Sequence, residues 1–100
     1  MMENESLLRQ IAQMYLDGAE EKQTHLKAAI EQLERQAIRD RSHAIKGFAA
    51  DIGADTVATI MAEIESVALD GEQSMLHQKY LQFEKCQEQV MHEMRLYLQN

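Results

Sequence analysis

These 100 residues contain no proline. Proline is the residue that most reliably interrupts a helix, because it lacks the amide proton and clashes with the preceding turn. A chain without it can run in long unbroken helices. Apolar side chains then recur every third or fourth position, the spacing that gives a helix one buried face. Ala, Leu, Ile, Met, Glu and Gln are abundant, and all but Ile are among the strongest helix formers. The expected class is all-α.

Four breaks divide the pattern. The Asp-Gly pairs in "LDGAE" (16–20) and "LDGEQ" (69–73) read as turns. In "IGAD" (52–55), Gly53 stands where a left-handed helix cap needs a residue without a side chain. A fourth break near Gln36 rests only on a change of apolar phase. Five segments result. A short first one carries Leu7, Leu8, Ile11, Met14 and Tyr15, and a second carries Ala19, Leu26, Ile30, Leu33 and Ala37. The third carries Ile38, Ile45, Phe48, Ala49 and Ile52. The fourth runs through Val57, Ile60, Met61, Ile64, Val67 and Ala68, the fifth through Leu76, Tyr80, Phe83, Val90, Met94 and Tyr97. The expected fold is an antiparallel four-helix bundle with a short additional N-terminal helix, forming a single domain over residues 1–100. A chain of this size hides roughly two-thirds of its surface on folding, enough for a core without staples.

Composition excludes several functions. The single cysteine, Cys86, rules out an internal disulfide framework or a Cys-rich zinc site and fits a reducing cytoplasm. It lies beside the Phe83 and Val90 stripe and is expected to be a buried, inert thiol. No apolar run reaches the roughly 18 residues of a membrane span, and "MMENES" lacks the features of a signal peptide. A net charge of −7 argues against nucleic acid as partner. Residues 35–46, "RQAIRDRSHAIK", nonetheless carry +3, leaving −10 on the rest. Such a basic island suits an anionic ligand or an acidic protein surface, although charge runs often do no more than solvate a helix face. Met61 and Met94 fall on helical stripes and are expected to pack the core rather than form a peptide groove.

The third segment holds the chemistry. With 100° per residue and His43 at zero, Arg39 falls near about −40°, Lys46 about −60°, Gly47 about +40° and Ala50 about −20°. The apolar residues cluster at roughly 140–240°. His43 is therefore expected to point into solvent from the middle of a rigid helix. Gly47, one turn on, costs about 1 kcal/mol of helix stability relative to alanine, and the compensating gain is room for a partner to approach the ring. An exposed neutral imidazole is a nucleophile near neutral pH. If it attacks phosphorus, Lys46 can meet the phosphoryl oxygens and Arg39 can add long-range attraction. A lone surface histidine is ordinarily only that, and His25, His77 and His92 are read so; no i,i+4 pairing suggests zinc. His43 differs by its company: Lys at +3, Gly at +4 and Gly at +10.

"HAIKGFAADIGA" (43–54) closely resembles the motif of the histidine-containing phosphotransfer (HPt) domains of two-component phosphorelays: His-x-x-Lys-Gly, small residues, then aliphatic-Gly-Ala. The following "DTVATIMAEIESVALDGE", with Ile64 and Glu65 and a closing Asp-Gly, resembles that family's next helix, and "YLDGAEEKQTHLKAAIEQLE" its first. The resemblance covers essentially the whole chain. It implies a four-helix bundle in which His43 is the phosphorylated residue, Lys46 assists the phosphoryl group, Gly47 clears the docking surface with Arg39 and Ala50 beside it, and Gly53 ends the helix. It implies receiver domains of response regulators and a hybrid histidine kinase as partners. Magnesium would sit in the receiver's acidic pocket, so a monomeric, cytoplasmic phosphoprotein would need no cofactor or metal of its own. Two residues depart from the pattern. Phe48 replaces a small residue, and its core-facing angle makes this a matter of packing. Arg41 falls near about +160°, toward the core, so it is expected to snorkel out at the bundle's end or to sit in a loop if the helix starts later.

The sequence thus predicts a phosphoryl carrier. It is not an ATP-using kinase, because no glycine-rich nucleotide loop is present. The rival is a non-phosphorylated helical adaptor binding a signalling partner through the same face. A bundle hydrolase is a weaker third, lacking inward Glu-x-x-His pairs.

Overall fold

The computed structural model describes residues 2–99, with side chains from residue 5 onward. Four helices follow one another: α1 (Met2–Glu31), α2 (Arg35–Asp51), α3 (Asp55–Val67) and α4 (Gln73–Gln99). Each packs on its neighbours in sequence, and α4 closes the ring against α1. The result is an all-α antiparallel bundle, 47 × 19 × 18 Å, whose axis is filled by Leu26, Ile30, Ile38, Met61, Ile64, Leu76 and Phe83. Met61 is fully buried, as its stripe position predicts, whereas Met94 only partly packs on the core and leaves part of its side chain at the surface. Cys86 is a free, half-buried thiol rather than a fully buried one. No described helix is long and apolar enough to cross a membrane.

The separate short N-terminal helix does not exist. Its residues are the first half of α1, which runs through Asp17-Gly18 without interruption. Burial of Ala12, Tyr15 and Ala19 on either side holds the helix together, and that outweighs the roughly 1 kcal/mol a mid-helix glycine costs. The same dipeptide at Asp70-Gly71 does turn the chain. There a side chain on Gly71 would sit 2.7 Å from the Val67 carbonyl oxygen, so only glycine permits the close approach.

Two helices end in the same way with different residues. After α2, the Ala54 N–H donates to the Ala49 carbonyl (2.8 Å) and Gly53 to Ala50 (3.1 Å), with Gly53 at φ +78°. After α1, Glu34 donates to Ala29 (2.9 Å) and Leu33 to Ile30 (3.1 Å), with Leu33 at φ +53°. Both are Schellman caps. The α1 end therefore falls at Glu31, a few residues before Gln36, and carries no glycine to announce it. Leu33 packs its side chain on the core, which offsets the roughly 1–2 kcal/mol of the left-handed backbone.

Candidate functional site

Helix α2 sets the site by its rotation. Ile38, Ser42, Ile45 and Ala49 are its buried residues. Ser42 is unexpected among them. Its hydroxyl donates back to the carbonyls of Ile38 (2.7 Å) and Arg39 (3.1 Å), so no polar atom is stranded. This buried arc turns the opposite face outward. His43, Arg39, Gly47 and Ala50 are all exposed. Arg41 is exposed too, seven residues into the helix. It occupies neither the core side nor a loop, because the buried arc is centred toward Ser42 and away from it.

His43 does not stand alone. From α3, Glu65 reaches across to hold both groups of interest: its Oε2 lies 2.8 Å from His43 Nδ1, and its Oε1 lies 2.6 Å from Lys46 Nζ. The His43 side chain remains 68% exposed, Lys46 34% and Glu65 21%. The Lys46 hydrogen bond, followed by that from His43, keeps the Glu65 carboxyl below its ordinary value of 4.5 against the opposing effect of burial. At neutral pH it is a carboxylate and can only accept. The imidazole facing it then carries a proton on Nδ1, and in the neutral ring this leaves the Nε2 lone pair free.

The basic island divides into different uses. Arg35 donates to the carbonyls of Ala68 (3.2 Å) and Gly71 (2.8 Å), stitching the start of α2 to the α3–α4 turn. Lys46 is neutralised by Glu65. Arg39 forms one wall of a shallow depression of about 590 Å³ beside the clamp, shared with Lys46, Ala62, Glu65, Ser66, Leu69 and Asp70. Phe48 packs on Tyr15, ring centroids 5.5 Å apart, and Lys22 Nζ lies over the Phe48 ring, 4.1 Å from its centroid. Its departure from the motif is thus a packing matter, as its angle predicts.

A Cβ built on Gly47 meets nothing within 4 Å. No internal contact calls for glycine there. Gly53 caps α2 as described and lies about 15 Å of helix away from His43. His25, His77 and His92 are exposed and scattered. Among the described residues no group of three or more His, Cys, Asp or Glu could hold a metal ion.

Sequence reasoning missed Glu65 as a site residue. The Ile64-Glu65 pair belongs to the stretch that resembles the HPt family, and it was the available signal. What pattern alone lacks is the rotation of α3 that aims Glu65 at His43 rather than at solvent.

A family model described as Hpt domain matches residues 10–99. No curated protein and no solved structure matches the chain.

Proposed function

The chain belongs to the Hpt domain family, and on that premise we propose that it carries a phosphoryl group on His43 Nε2 and exchanges it with the aspartate of a response-regulator receiver domain. Hpt domains are histidine-containing carriers in two-component phosphorelays. The observation that supports these particular residues is the Glu65 clamp, which orients an exposed imidazole and parks a cation one turn away.

That geometry supports the following transfer. The Nε2 lone pair attacks the phosphorus of a receiver's aspartyl phosphate, the P–O bond breaks, and the aspartate leaves as carboxylate. The imidazole becomes N-phosphorylated and positively charged, with its proton still on Nδ1. Glu65 accepts the hydrogen bond from that N–H and balances the charge, so no proton has to move. Lys46 Nζ supplies a flexible cation for the phosphoryl oxygens, and Arg39 stands on the neighbouring wall. Gly47 and Ala50 leave the approach open. In this reading magnesium belongs to the receiver, the donor upstream is a hybrid histidine kinase, and the chain has no ATP-dependent activity of its own.

The test is phosphorylation by a cognate kinase or a phosphorylated receiver. The expected label is acid-labile and base-stable, and absent in His43→Gln. A label that persists in His43→Gln refutes the assignment. Intact signalling by His43→Ala favours the adaptor reading instead.

A further inference from the structure

The two long helices outrun the two short ones. α1 has 30 residues and α4 has 27, against 17 in α2 and 13 in α3. Short turns keep the helices level at the α1–α2 end, so the surplus protrudes past the α2–α3 turn. There, among the described residues, the inward stripes of α1 and α4 continue only partly covered. Leu8 lies seven residues before the buried Tyr15, on the same face, yet is 56% exposed. Leu8, Ile11, Ile52, Val90, Met94 and Tyr97 line a groove of about 610 Å³ beneath the turn. Among the described residues the charged ones that line it are all acidic: Asp51, Asp55 and Glu93. Arg9, which contacts the Tyr97 ring, is held by the Leu98 carbonyl and Glu5.

We propose that this groove docks an amphipathic helix of a protein partner whose apolar stripe is flanked by lysine or arginine. The shape calls for a helix. The walls are two helices whose apolar residues recur at three- and four-residue intervals, the ridges against which another helix packs. The stretch from Val90 to Tyr97 accommodates about two turns. The charge selects the partner. A second copy of this chain would bring the same Asp51, Asp55 and Glu93, together with a net charge of −7, so a two-fold pairing would set acid against acid. The groove lies at the Gly53 end of α2, about 15 Å of helix from His43. A helix seated there leaves the imidazole open, and the inference does not depend on phosphoryl chemistry.

The experiment uses the full chain and two fluorescein-labelled helical peptides of about five turns. They share one leucine stripe, flanked by lysine in one and by glutamate in the other. Anisotropy titrations at about 0.15 M salt are expected to show the lysine peptide binding at least about tenfold more tightly. Its NMR shift changes should concentrate at Leu8, Ile11, Val90 and Met94. Leu8→Asp and Glu93→Lys are each expected to weaken it about fivefold or more, with unchanged circular dichroism. Leu8→Asp is the sharper variant, because it adds the charge that non-specific attraction would favour. Equal binding of the two peptides, shifts spread over the whole acidic surface, or a dimer that Leu8→Asp dissociates would overturn the proposal.

Discussion

Replacing Gly47 separates the needs of the fold from the needs of a partner, because the two pull in opposite directions. The residue sits inside α2, exposed, and a Cβ there meets nothing within 4 Å. Alanine therefore adds no clash and removes the excess backbone freedom of glycine in the unfolded chain. The gain should be about 0.5–1 kcal/mol. For a domain of this size that raises the melting temperature by about 2–5 °C. Glutamine, also a good helix former, should retain most of it. If the open surface beside His43 is where a receiver docks, the same changes should slow transfer. Forcing a long side chain into a close-packed contact costs about 1–3 kcal/mol, which is roughly 5- to 150-fold in rate for Gly47→Gln, and less for Gly47→Ala. Thermal melts followed by circular dichroism measure the first effect, and rapid-quench transfer from a phosphorylated receiver measures the second. A lower melting temperature for Gly47→Ala would show that the glycine is structural after all. Wild-type transfer by Gly47→Gln would remove the docking argument.

Further consequences follow from the clamp and the core. Glu65→Gln should lower stability by less than about 1 kcal/mol, since His43 is exposed and Lys46 half-exposed, so solvent screens both contacts. It should also slow transfer roughly fivefold and shift the His43 imidazole nitrogen resonances away from the Nδ1–H form; unchanged resonances would contradict the orienting role. Because the Glu65 carboxyl lies below its ordinary 4.5 in the folded chain, the clamp contributes fully above that pH and is lost as pH falls through the lower folded value. Lys46→Ala should slow transfer by about tenfold with the bundle intact, and a molten spectrum would instead make Lys46 structural. Burial pushes the Tyr15 phenol up to about 12, against the lowering effect of its hydrogen bond to Gln87. A raised value favours the folded state below pH 10, and that contribution of about 2–3 kcal/mol disappears as pH rises toward 12. Tyr80 is raised in the same direction by burial, so the comparison of wild type with Tyr15→Phe isolates one phenol. Urea unfolding at alkaline pH should show a shallower decline for Tyr15→Phe, and identical slopes would refute the assignment.

The exposed His43 face was readable because it depends on one helix. Angles about a single axis place His43, Arg39, Gly47 and Ala50 together outside, and all four are exposed. The same wheel failed for Arg41. Its angle stands, but the direction of the core was set by the apolar residues alone, and buried Ser42 moves the buried arc away from it. A serine that satisfies its own hydroxyl within the helix is invisible to hydrophobic pattern.

Spacing and propensity, being local, sufficed for the helical class, for the Gly53 cap and for an imidazole facing solvent. Where each helix stops was decided by packing. Asp17-Gly18 stays helical because the flanking Ala12, Tyr15 and Ala19 are buried, and the α1 end hides behind Leu33 because core contact can offset a strained backbone. Glu65 likewise joins His43 and Lys46 only when α3 is laid against α2. A contact across 22 residues is a property of how two helices are rotated toward each other, and that rotation is set by the core as a whole.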